Sequence, residues 1–136
     1  MNESMETNVP GIFAAGNCVH VNDLVDYVTM EGEKAGQNAA DRASGKTPPK
    51  MGIRLKAGEN VRYVVPQMIT GQREVAIQLR VKEPEKEVIL KVGELMTKRL
   101  KGVKPSEMLH LTLSEKHLKR IKKGTAQLVV SCQKQG

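Results

Sequence analysis

Between Gly16 and Asp26 the sequence GNCVHVNDLVD sets two amides, an imidazole and two carboxylates within eleven residues. A glycine ahead of Asn17 lets the backbone approach a ligand closely, and the amide at 17 then meets it as donor or acceptor. His20 has the side chain best suited to relaying a proton near neutral pH; a loop histidine or a cap partner is its structural alternative. Asp23 and Asp26 stand one helical turn apart, where carboxylates favour a helix start. Elsewhere chemistry is sparse. His110 falls on a strand pattern and His117 in a basic helical pattern, neither with a spaced set of Cys, His or carboxylate ligands, so no metal site is expected. No nucleophile–base pair stands out, and no catalytic residue is assigned. Gly11 and Gly16 frame GxxxxG, but no Lys-Ser/Thr follows, which excludes a phosphate loop. Cys18 and Cys132 form neither a CxxC nor a disulfide framework; they suit free thiols in a reducing cytoplasm.

The elements that must position these residues change character along the chain. A short apolar run ends at Gly16–Asn17. A helix follows over Asn22–Ala43, with Asn22 or Asp23 as its cap. Leu24, Val25, Val28, Gly32, Ala35, Gly36, Ala39, Ala40 and Ala43 recur at helical spacing. Gly32, Gly36 and Ala40 make the far end of that stripe small, which suits close backbone approach. Gly45 fits a left-handed cap past the helix end, and Pro48 and Pro49 bar its continuation. Beyond this the period falls to two. Residues 60–69, 74–81, 87–92, 95–100, 107–113 and 125–132 read as strands, with Val75, Ile77, Leu79 and Val81 facing one way. Met108, His110 and Thr112 point away from the Leu109, Leu111, Leu113 face. Residues 114–124 read as a short helix with Ser114 as N-cap and Gly124 past its end.

The expected fold class is therefore α+β: a strand and long helix over 1–46, a linker over 47–52, and an antiparallel immunoglobulin-like β-sandwich over 53–136. Only 2% of residues are aromatic, so the core must rest on aliphatic side chains. No apolar stretch reaches the roughly 18–20 residues of a membrane span, and no signal-peptide pattern opens the chain; a cytoplasmic location is expected. Net charge is +7 but uneven. Residues 1–46 carry three basic and seven acidic side chains, net −4, and residues 47–136 carry 19 and eight, net +11. The run Lys116–Lys123 invites nucleic acid by charge. Tyr63 is the only aromatic of that unit, so base stacking has little support, and nucleic-acid binding ranks last. A solvated basic face, or one docking an acidic partner, fits better, and a non-enzymatic interaction module with the sandwich as its working part ranks ahead of nucleic-acid binding. Residues 53–133 are expected to form the ordered core. The 1–46 unit is expected to expose Ile12, Phe13 and the helix stripe, or to hide them in a homo-oligomer.

The run Thr7-x-Val9-Pro10-Gly11-Ile12-Phe13-Ala14-Ala15-Gly16-Asn17, followed by a helix containing Gly36-Gln-Asn-Ala39-Ala40, resembles the second flavin-binding fingerprint of the pyridine nucleotide–disulfide oxidoreductases. The continuation GNCVHVNDLVDYVTMEGEKAG is similar to one subgroup, the FAD/NAD-linked dehydrogenases found alongside anaerobic glycerol-3-phosphate dehydrogenase. VRYVVPQ and REVAIQLRVKEPEKEVILKV are similar to that subgroup's C-terminal extension. The resemblance implies the C-terminal piece of a larger FAD-dependent oxidoreductase, whose remaining parts, or a partner subunit, supply most of the cofactor site. It implies cofactor-binding roles for Gly16, Asn17, Asp23, Leu24 and Val25. The family places Asp at position 17, accepting a hydrogen bond from a ribityl hydroxyl of FAD; Asn17 accepts without charge assistance. The helix start beyond it faces the N1/C2=O edge of the flavin, where negative charge develops on reduction.

Overall fold

The computed structural model describes residues 1–136. Its elements are a 3-10 turn at Gly16–Cys18, helix α1 (Val25–Ala43), strands β1 (Ile53–Ala57), β2 (Val61–Val65), β3 (Met68–Ile69), β4 (Val75–Val81), β5 (Glu85–Val92), β6 (Met96–Val103) and β7 (Leu109–Leu113), helix α2 (Glu115–Leu118) and strand β8 (Gln127–Lys134). Two sheets form, in the orders β3-β1-β8-β5-β6 and β2-β4-β7. Between them lies a cluster of 20 buried residues, Val, Leu and Ile with one cysteine, built from the inward faces of alternating strands. Strand β4 shows the pattern plainly: Val75, Ile77, Leu79 and Val81 are buried while Ala76, Gln78 and Arg80 face outward.

One pairing departs from the antiparallel expectation. Strands β1 and β8 run parallel, from Arg54↔Gln127 to Ala57↔Val130, and the other pairs are antiparallel. Parallel neighbours need a long crossover, and here the crossover is nearly the whole sandwich. Strand β1 is itself an addition, since residues 53–57 show only two buried apolar positions. The strand expected over 60–69 is two strands in different sheets. Pro66, which cannot donate to a ladder, marks the break.

Helix α1 ends as expected. Gly45 has φ +84°, its N–H donates to the Arg42 carbonyl and the Lys46 N–H to that of Asp41, the paired bonds of a Schellman motif. Its start differs. The helix begins at Val25, with Leu24 in the capping position and no side chain capping it. The buried stripe also differs. Tyr27, Val28, Glu31, Ala35 and Arg42 turn inward, and Leu24, Val25, Gly32, Gly36 and Ala40 are exposed. A Cβ at Gly32 or Gly36 would meet nothing within 4 Å, so the close approach expected of them is not made within this chain.

The 1–46 region lies over the outer face of the β2-β4-β7 sheet. Tyr27 of α1 stacks on His110 of β7 with ring centroids 4.2 Å apart. Met108 does turn from the sandwich core, as the alternation requires, yet it is buried. The N-terminal residues close one side: Asn2 bridges Met68, and the buried Glu3 carboxylate accepts from Arg73 Nε and the Thr70 N–H, both at 3.1 Å. Ile12 remains exposed and Phe13 is half-buried, with Val9, Val21, Leu24, Val25 and Met30 also open to solvent. Neither helix is long and apolar enough to cross a membrane.

Candidate functional site

The turn around Gly16 is built from inside the protein. Gly16 has φ +77°, a left-handed conformation, and a Cβ there would lie 3.2 Å from Val28 Cγ1 of α1. Its N–H donates to Glu31 Oε2 at 2.8 Å. The other oxygen of the same carboxylate meets His20 Nε2 in a short contact, and Asn22 Nδ2 reaches Oε2 at 3.4 Å. Glu31 and His20 are only 8% and 7% exposed. One buried carboxylate on the second turn of the helix thus gathers the glycine, the histidine and the asparagine of the loop before it. Hydrogen bonding to three neighbours makes such burial tolerable.

A second anchor comes from the sandwich. Asp23 Oδ1 accepts from Arg80 Nη2 at 2.7 Å, and Oδ2 accepts from the Met108 N–H at 2.8 Å. Arg80 also donates to the Tyr63 hydroxyl (3.1 Å), the Pro105 carbonyl (3.3 Å) and the Val21 carbonyl (2.7 Å). The Met108 N–H bond holds the Asp23 carboxyl below its usual range; burial opposes it, and the bond and charge of Arg80 add to the lowering. Burial works against the Arg80 charge, but the bonds to Asp23 and Tyr63 outweigh it and raise its pKa. The rings of His20 and Tyr63 meet in a T-shaped arrangement with centroids 6.0 Å apart.

The five residues expected at a cofactor site therefore divide. Gly16 is buried and locked. Asn17 is exposed, and its Oδ1 accepts the Asn22 N–H at 3.2 Å. Asp23 does not cap the helix. A guanidinium and a backbone N–H together outweigh the roughly 1 kcal/mol of a capping bond. Leu24 and Val25 stand exposed at an uncapped helix start, where Asp26 supplies the only first-turn charge. A hollow of about 420 Å³ beside the turn is lined by His20, Val21, Tyr63 and Arg80, and none of the five borders it. His20 is not a free loop histidine, because Nε2 is committed to Glu31. Residue type alone does not mark Glu31 as the anchor of this turn. Its signal was position: Tyr27, Glu31 and Ala35 share one helical line.

His110 gives a test of the docking between the two regions. Burial holds its imidazole below the ordinary value of 6.5; Asp23 opposes this, and His20 and Arg80 add to it. Its neutral form is thus favoured when folded. The resulting stability is complete above the ordinary value and is lost as pH falls through the depressed one. An NMR titration of the His110 ring is expected to show a midpoint below 6.5. A midpoint at or above that value would mean the Tyr27 stack is not formed in solution.

No family model matches the chain, and no solved structure matches it. A stretch of 38 residues, 28% of the chain, is 47% identical to mercuric reductase of Shewanella putrefaciens. The matched stretch spans about 7% of the length of that relative.

Proposed function

We propose that this chain is the C-terminal part of an FAD-dependent oxidoreductase of the pyridine nucleotide–disulfide type. The observation that carries the reading is the 47% identity to a reductase over 38 residues. The geometry of the Gly16 turn agrees with it. That turn is fixed from within by Glu31 and presents Asn17 and an uncapped helix start to the outside. FAD, when bound, supplies hydride and electron transfer. This chain's part is to orient it: Asn17 toward the ribityl chain, and the backbone N–H groups at Leu24 and Val25 toward the pyrimidine edge of the flavin. The helix dipole favours negative charge there by about 0.3–1 kcal/mol. The Asp26 carboxylate competes for the same positive end. The rest of the site belongs to the parent polypeptide or a partner subunit. It would cover the exposed side chains of Val9, Ile12, Leu24 and Val25 and the stripe Gly32, Gly36 and Ala40. Within this reading, residues 1–46 are the end of the FAD domain and 53–136 an immunoglobulin-like extension. The finer assignment is to the NAD(P)H- and FAD-linked dehydrogenases that accompany anaerobic glycerol-3-phosphate oxidation, on the runs 16–36, 61–67 and 73–92.

The test is to express the reading frame extended upstream of Met1 and measure flavin absorbance and FAD affinity. The extended protein is expected to be yellow. Asn17→Ala is expected to raise the FAD Kd about 2–10-fold, the weight of one hydrogen bond without charge assistance. A colourless extended protein would sink the assignment; an unchanged Kd would remove Asn17 from the site.

A further inference from the structure

The two sheets are treated unequally. Residues 1–46, net −4, cover the outer face of β2-β4-β7, and they leave the outer face of β1-β8-β5-β6 open, although Ser131 at its middle is buried. Strand alternation puts Arg54 and Lys56 from β1, Lys91 from β5 and Arg99 from β6 on that face, and a fifth cation, the exposed Lys101, follows on β6 at its margin. The registered neighbours of four of them are neutral. Arg54 lies opposite Gln127, Lys56 opposite Val129, Lys91 opposite Ser131 and Thr97, and Arg99 opposite Ile89. None of the five takes part in an ion pair. The fifth, Lys101, falls opposite Glu87 at the margin, in the gap between Lys86↔Gly102 and Val88↔Leu100. Neighbouring strands are about 4.8 Å apart, so four strands spread these charges over roughly 15 Å. Near the middle Val129 is 41% exposed.

The shape of the face selects among polyanions. It is a sheet surface with no helix or ribbon projecting to enter a DNA groove. None of the three aromatic residues lies on it: Phe13 and Tyr27 belong to the 1–46 region and Tyr63 to β2 of the other sheet, so a single strand finds no stacking platform. Anionic lipid headgroups are mobile and impose no pattern, and a broad array of unpaired cations around an apolar centre matches them. The acidic region on the opposite side orients the molecule the same way in the field of a negative surface.

We propose that the outer face of β1-β8-β5-β6 binds peripherally to an anionic lipid surface. The proposal is independent of the flavin reading, since none of the cofactor residues lies on this face. The test is co-sedimentation of the whole chain with vesicles. Vesicles of about three parts phosphatidylcholine to one part phosphatidylglycerol are expected to pull the protein down, and phosphatidylcholine alone is not. Raising salt from about 0.1 M to about 0.5 M is expected to release it. Lys56→Glu with Arg99→Glu, both exposed, is expected to weaken partitioning roughly thirty-fold or more. Lys116→Glu with Lys123→Glu makes the same change in net charge off this face and is expected to weaken it only a few-fold. Failure to sediment with anionic vesicles, equal losses in the two double variants, or tighter binding to duplex DNA at matched salt would each overturn the proposal.

Discussion

Glu31→Ala is expected to lower folding stability by about 3–5 kcal/mol in urea denaturation, because three groups in a buried site lose one shared partner. The carboxylate is the common acceptor for the Gly16 N–H, His20 Nε2 and Asn22 Nδ2. Truncation leaves all three without it in a buried site, at about 1–3 kcal/mol for each group that finds no water. The cluster has little in reserve, because His20 Nδ1 and Asn22 Oδ1 already lack a protein partner. Glu31→Gln separates charge from shape. Its carbonyl oxygen can still accept from Gly16, and its amide can donate to a neutral His20, so a smaller loss of about 1–2 kcal/mol is expected. His20→Ala combined with Glu31→Ala should cost less than the two single losses together, since each removes the same contact. A loss below about 1 kcal/mol for Glu31→Ala would show that water replaces the carboxylate and that the Gly16 turn holds itself.

The fold was legible where local period and punctuation decide it. Alternation over 74–81 becomes β4 at Val75–Val81, and Gly45 ends α1 through its positive φ. It was illegible where partners lie far along the chain. Nothing within Ile53–Ala57 signals that β8, some seventy residues on, will lie parallel beside it. The site divides in the same way. Gly16 and Asn17 could be chosen locally, because a glycine–asparagine turn before a helix has few conformations. Glu31 could not be separated from Glu33 by residue type; only its line with Tyr27 and Ala35 places it inward. Asp23 read as a cap because capping is the local use of a carboxylate at that position. Its actual partners, Arg80 and the Met108 N–H, lie 57 and 85 residues away.

Arg80→Ala is expected to release the 1–46 region without dissolving the sandwich. Native-state hydrogen exchange should show the opening free energy of amides in α1 reduced by about 2–4 kcal/mol. Amides of β5 and β8 should keep their protection, since Arg80 faces away from the core they share. The guanidinium holds four acceptors at once, three of them on residues outside β2 and β4: Val21, Asp23 and Pro105. Arg80→Lys retains the charge but cannot span that set, and it should recover less than half of the loss. Asp23 is partly solvent-exposed, so the ion pair alone belongs at the low end, and most of the effect comes from the carbonyls and the Tyr63 hydroxyl left without their donor. Acid should imitate the substitution only in part. Asp23 has a depressed pKa, so its contribution is complete above the ordinary carboxylate range and is lost as pH falls through the depressed value. The carbonyl bonds of Arg80 do not titrate and should persist there. If amides of α1 and of β5 lose protection equally in Arg80→Ala, the chain opens as one cooperative unit. The stretch 47–52 would then separate two sequence patterns but not two energetic units, and the Gly16 turn would owe its position to the whole sandwich rather than to this one latch.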